Sequence, residues 1–362
     1  MSLPMDALLL AAFLLLLWGC RPVRPLSALD GDGLTQERCL PVRGFFALVV
    51  MGHHVAQQTQ DGRLFHVLLY CGIYAVSVFF FLSGYGLMHQ VMTRPDYSRR
   101  FFLRRAIPIA ALGLLALLLF IPVYALDGVL IGLPVLFRML FAADPYLIIL
   151  WYVLVILGFY AAFGLCLRLL RSHPGRLTAA VTVLWIIFVI LGLQCGIGQW
   201  WFNTGHLLLV GMLWAENEER IMSAISSPVW YAAVLGLCAV GFLLLFTGFD
   251  RIYALYPTPV MRYGIQAAGC LLFTLGVVMT MYKLRFGNPI LSALGRISFE
   301  IYVLQGVFLL LFHSAPLYIG NDFLYALAVT LCTVALAALI HKPYQSLSKR
   351  YRTWITKKLA DT

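Results

Sequence analysis

Long apolar stretches alternate with short polar ones along the chain, and the apolar stretches set the architecture. A helix that crosses a bilayer needs roughly 20 largely apolar residues, because ~30 Å of hydrocarbon is covered at 1.5 Å per residue with every backbone group paired internally. Eleven stretches meet that demand, at about 3–20, 40–57, 66–90, 106–125, 147–167, 178–195, 200–215, 228–248, 263–282, 290–312 and 323–341. They predict an all-α fold, a polytopic membrane helix bundle. At ~20 residues each they use about 220 of the 362, so the ten connections and two tails leave no room for a separate extramembrane domain.

Composition narrows the class further. Hydrophobic residues make up 62% and charged ones 11%, against about 45–50% and about 25% for soluble domains. A soluble enzyme, a disordered regulator and a secreted disulfide scaffold are excluded together. The eight cysteines are scattered, mostly within the apolar stretches and without a CxxC pair, so they read as small hydrophobes rather than staples or zinc ligands. The first stretch ends Leu-Trp-Gly-Cys20 like a lipoprotein cleavage site, yet Asp6 stands where a secretory signal carries positive charge, so a retained helix is expected.

Charge then orients the bundle. With the C-terminus inside, the segments 21–43, 91–105, 168–176, 217–226, 283–285 and 342–362 are internal and carry 21 of the 26 Lys and Arg residues. That asymmetry places the N-terminus outside and the C-terminus in the cytoplasm. The net charge of +11 therefore reports topology, not nucleic-acid binding. The tail from Lys349 to Lys358 is expected to lie on anionic lipid headgroups.

Ionisable residues at depth carry the functional signal, since each is costly unless paired, hydrated or used. Arg43 and His54 are eleven residues apart. Eleven helical steps turn three full circles plus ~20°, so both leave one face of a helix about 16 Å apart along its axis. His53 points ~80° away from Arg43. Two readings stand: a snorkelling cation with a hydrogen-bonding histidine, or a general base, His54, in a polar cavity with Arg43 holding an anion below it. A metal or haem reading of His53, His54, His66 or His206 lacks a second helix with partner spacing. Ser83-Gly84-Tyr85-Gly86 ends the third stretch, where the glycines admit another backbone and Ser83 bonds its own helix or lines a cavity. Arg99, Arg100, Arg104 and Arg105 follow, four arginines within seven positions, suited to phosphate groups or lipid headgroups. Arg296 and Glu300 are four apart and able to neutralise each other; otherwise Glu300 lines the cavity of His54. Trp151-Tyr152 reads as an interfacial belt or as cavity lining.

Taken in order, these elements resemble the acyltransferase family 3, integral membrane proteins that O-acylate sugars and cell-surface glycans. The matching features are Arg43-Gly44 followed by His54, Phe-Phe-x-Leu-Ser83-Gly84-Tyr85, the basic loop ending Arg105-x-x-Pro108, Trp151-Tyr152, Phe202-x-x-Gly205 and Gly295-x-Ile-Ser298-x-x-x-Tyr302. The resemblance implies an acyltransferase-like region at 38–341, an extra N-terminal helix and linker at 1–37, and a basic cytoplasmic tail at 342–362. It further implies acyl-CoA, most simply acetyl-CoA, as donor and a carbohydrate hydroxyl as acceptor, with no metal. Arg43 and His54 map to the residues the family uses in transfer. Arg99, Arg100, Arg104 and Arg105 are the implied donor-phosphate contacts, and Ser83, Tyr85, Trp151, Tyr152 and Glu300 the implied cavity lining. Phe102, Ile149 and Gln305 depart from common Arg, His and His positions and bear on acceptor class. A transporter or flippase of an anionic or lipid-linked solute, using Arg43 and Glu300 as pathway charges, is the alternative.

Overall fold

The computed structural model describes residues 3–24, 29–94, 101–141, 144, 146–170 and 173–358. Its helices are α1 (Leu3–Leu17), α2 (Gln36–Ala56), α3 (Gly72–Thr93), α4 (Phe101–Leu126), α5 (Leu133–Phe141), α6 (Trp151–Leu169) and α7 (Pro174–Gln194). There follow α8 (His206–Ala224), α9 (Pro228–Thr247), α10 (Phe249–Leu255), α11 (Pro259–Lys283), α12 (Pro289–Arg296), α13 (Ser298–Leu311) and α14 (Asp322–Lys358). Pro174, Pro228, Pro259 and Pro289 open four of them, where a missing N–H costs no helix bond. Asn288 caps α12 by accepting from the amides of Ile290 (2.9 Å) and Leu291 (3.0 Å). One short antiparallel pairing, β1 (Arg21–Pro22) with β2 (Leu284–Arg285), joins two polar connections.

All eleven expected stretches contain a helix, but not all are simple spans. Among the described residues, eight helices are long and apolar enough to cross a membrane, and a ninth span is the pair α12–α13 counted as one with a 76° bend. The other two fall short. Helix α1 has 15 residues. Helix α8 starts only at His206, so its 19 residues run past the apolar stretch into Glu216, Glu218, Glu219 and Arg220. The boundary expected at 341 falls inside α14, which continues unbroken through the basic tail.

Polar ties sort the connections into two ends. At the basic end, Asp30 accepts from Arg38 (2.5 Å) and Arg285 (3.1 Å), and Glu218 on α8 accepts from Tyr85 on α3 (2.8 Å) and Tyr282 on α11 (2.7 Å). At the opposite end, Asp6 accepts from the amides of Leu64 and Phe65, Asp322 from those of Gln60 and Asp61, and Asp127 from that of Ala315. The segments that the charge pattern groups together thus meet in space.

Two glycine crossings hold the centre. A Cβ on Gly44 would overlap the carbonyl of Leu291, and one on Gly295 would overlap that of Leu40, so α2 and α12 touch backbone to backbone. The same reciprocity joins α3 to α8, Gly84 against Leu208 and Gly211 against Phe81. Hydrocarbon gives helices no hydrophobic drive to associate, which makes such close approach the main source of cohesion. Gly86 does not share this role; nothing stands within 4 Å of its would-be Cβ. Gly44→Val is expected to cost on the order of 3 kcal/mol, as overpacking against rigid backbone does, whereas Gly86→Ala is expected to be nearly neutral. Thermal unfolding of the two variants in detergent tests the contrast.

Candidate active site

The broken span builds the site. Helix α12 lies against α2 at Gly44 and Gly295, and the chain then turns at Ile297 and restarts α13 at Ser298, beside Arg43. An Arg43 guanidinium N–H donates to Ser298 Oγ at 3.1 Å, and Ser298 Oγ donates to the Gly295 carbonyl at 3.0 Å. The side chain that a lone snorkelling anchor would send to the headgroups is instead fixed inward.

Arg43 forms part of a cavity of about 710 Å³ at the basic end, enclosed by α2, α3, α4, α6, α13 and α14. Six sequence-nominated residues line it: Arg43, Ser83, Tyr85, Arg105, Tyr152 and Glu300. Arg94, Arg296 and Arg352 add three guanidinium groups from other segments. Five arginines against one carboxylate suit a ligand with several negative charges. Tyr152 is buried with its ring 5.2 Å from that of Tyr302 and 4.7 Å from that of Phe80, so this aromatic pair is not an interfacial belt. Trp151 is also buried, packed near Phe80 at 6.4 Å, but does not line the cavity. Arg99 and Arg100 lie outside the described residues, as does the side chain of Arg104.

Glu300 is not neutralised as the continuous-helix spacing suggests. The bend separates Arg296 from α13, and Glu300 Oε1 instead meets His341 Nδ1 on α14 at 2.6 Å, with both residues lining the cavity. A carboxylate engaged in this way is not a free pathway charge. His341 was missed in the sequence because it sits at the last position of an apolar stretch, yet the rule that ionisable groups at depth are used would have singled it out. Glu218, tied to Tyr85 and Tyr282, was missed for a similar reason: the α8 stretch was read as ending before it.

His54 is placed elsewhere. It is buried near the opposite end of α2 and does not line this cavity. Ala47 and Val50, which continue the Arg43 face toward it, are buried at 3% and 2% exposure. His54 Nδ1 lies 3.2 Å from Gln57 Oε1, and its ring stands 4.9 Å from that of His53. His66 and His206 turn to the carbonyls of Thr59 and Ala267. Among the described residues, no three His, Cys, Asp or Glu side chains gather as a metal site would require.

The helices are long and apolar enough for a multi-pass membrane protein, and a cavity with five arginines in its wall opens at the basic end. Residues 42–342, most of the chain, match the acyltransferase 3 family, described as an acyltransferase domain, and the protein belongs to that family. Comparisons with curated proteins and with solved structures return no match. The chain is thus a multi-pass membrane acyltransferase.

The Glu300–His341 contact is expected to be structural as well as chemical. Glu300→Ala, which leaves His341 Nδ1 without its partner, is expected to cost about 1–3 kcal/mol, while the double replacement Glu300→Leu with His341→Phe is expected to recover most of that loss. Thermal unfolding of the single and double variants reads the coupling directly.

Proposed function

We propose that this acyltransferase moves an acyl group, most simply acetyl, from acyl-CoA to a hydroxyl of a carbohydrate or cell-surface glycan. The single observation that carries the reading is the basic-end cavity with Arg43 as part of its wall, within a chain of this family. A donor carrying several phosphates fits five arginines, and Arg99, Arg100 and Arg104 stand close by in sequence. With that end in the cytoplasm of a plasma or bacterial inner membrane, the donor comes from the side where it is made and the acceptor from the other. The positive-inside pattern supports the same orientation.

In this reading the donor's phosphates rest on Arg105, Arg94 and Arg352, and its narrow arm follows the α2 face past Arg43. The arm then reaches His54, eleven residues and about 16 Å further along the helix. Transfer requires the packing over Ala47 and Val50 to part by the width of that arm. At His54 the acceptor oxygen attacks the thioester carbonyl while a neutral imidazole nitrogen takes its proton. The carbon–sulfur bond breaks, the sulfur leaves as thiolate, and the proton returns to it as CoA thiol.

His54→Ala is expected to lower acceptor acylation by about 10²–10⁴, the usual loss for a missing general base, with membrane insertion intact. Arg43→Ala is expected to raise the KM for the donor. Both are read in membrane vesicles given labelled acetyl-CoA and a surface-glycan extract, following label in glycan and release of free CoA. Wild-type turnover by His54→Ala would remove this mechanism, and acceptor-independent behaviour of the wild type would remove the enzyme reading.

A further inference from the structure

A string of hydrogen bonds at the end of α2 has a direction that chemistry fixes. The Leu68 carbonyl oxygen only accepts, so His53 Nδ1, 3.0 Å away, carries a proton. In a neutral ring His53 Nε2 is then an acceptor. Gln57 Nε2 lies 3.2 Å from it and donates, which turns the amide oxygen toward the other histidine. Gln57 Oε1 also only accepts, so His54 Nδ1, at 3.2 Å, is the protonated nitrogen of that ring. The lone pair of neutral His54 is therefore on Nε2. Reversing the amide would place its oxygen against His53 Nε2 and demand a second proton on a ring whose Nδ1 is already committed. A cationic imidazole 4.9 Å from another ring inside a membrane helix is the costlier state.

Helical spacing builds the string. Gln57 stands four residues after His53 and three after His54, so one side chain reaches both. Its own amide donates to the His53 carbonyl at 3.2 Å and keeps it in register with α2. Gly72, at the start of α3, gives the His53 ring its seat, since a Cβ there would stand 2.5 Å from His53 Cδ2. Among the described residues no hydrogen bond to His54 Nε2 is present, whereas Nδ1 is engaged by Gln57.

We propose that Gln57 is a positioning residue for acyl transfer: anchored through His53 to the Leu68 carbonyl, it holds His54 in the Nδ1–H tautomer and so presents Nε2 as the base. The inference rests on the reading of His54 as that base. A carboxamide does the orienting without adding a second charge inside the membrane, unlike the carboxylate of a serine-hydrolase triad. His53 acts at the far end of the string, so its removal loosens the base without deleting it.

The test is steady-state kinetics of purified protein in phosphatidylcholine vesicles, with labelled acetyl-CoA and a surface-glycan extract as acceptor. Gln57→Ala is expected to lower kcat by about 10- to 100-fold, less than loss of the base itself, with the donor KM unchanged. Gln57→Glu keeps an oxygen that accepts from His54 but loses the N–H given to His53, so it is expected to recover part of the kcat lost in Gln57→Ala, whereas Gln57→Lys, which only donates, is expected to stay low. Gln57 is exposed, so all three variants are expected to fold, with gel filtration as the check. Wild-type kcat in Gln57→Ala, or equal losses in Gln57→Glu and Gln57→Ala, would overturn the positioning role while leaving the acyltransferase reading in place. Full activity of His54→Ala would overturn the role together with the base on which it depends.

Discussion

The structure depends on one steric fact: α2 and α12 touch through bare backbone at Gly44 and Gly295. Lipid offers no reward for burying apolar side chains against each other, so contact this close is what binds two membrane helices. It also positions the chemistry nearby. The 76° turn that follows α12 starts α13 with Ser298 facing Arg43. The second crossing, Gly84 on Leu208, sets Ser83 on the cavity wall in the same manner. Both polar residues are therefore neighbours of a glycine that fixes the helix carrying them.

Charge is distributed unevenly between the two ends of the candidate site. The basic-end cavity gathers five guanidinium groups and one carboxylate that is already engaged by His341. In surroundings of low dielectric such a surplus attracts a polyanion strongly and is relieved by it. The end of α2 near His54 is built from neutral partners instead: two imidazoles, a carboxamide and a backbone carbonyl. The arginines and the imidazoles are separated by about ten residues of largely apolar helix surface, which weakens any electrostatic effect of one group on the other.

Much of this was legible in the sequence because helical periodicity is strict. Counting along the sequence puts Arg43 and His54 on one face of one helix, and order along the chain points to Arg105, Ser83, Tyr85, Tyr152 and Glu300, all of which line the cavity, as His54 does not. Counting fails where helices stop being straight. Arg296 and Glu300 share a face only if α12 and α13 are one helix, and the 76° bend breaks that premise. Gly84 and Gly86 look alike in sequence, yet only one meets a backbone, since partners across helices have no signature in local spacing. The same blindness hid His341, whose partner lies 41 residues away.

Helix α14 runs for 37 residues, about 55 Å, while the hydrocarbon core is only ~30 Å thick. Its first residue, Asp322, grips the loop that follows Gln57, its middle holds Glu300 through His341, and Arg352 near its far end borders the cavity. One helix, with Pro343 inside it, thus touches both halves of the site, so a tilt imposed by a thicker or thinner bilayer bears on each of them.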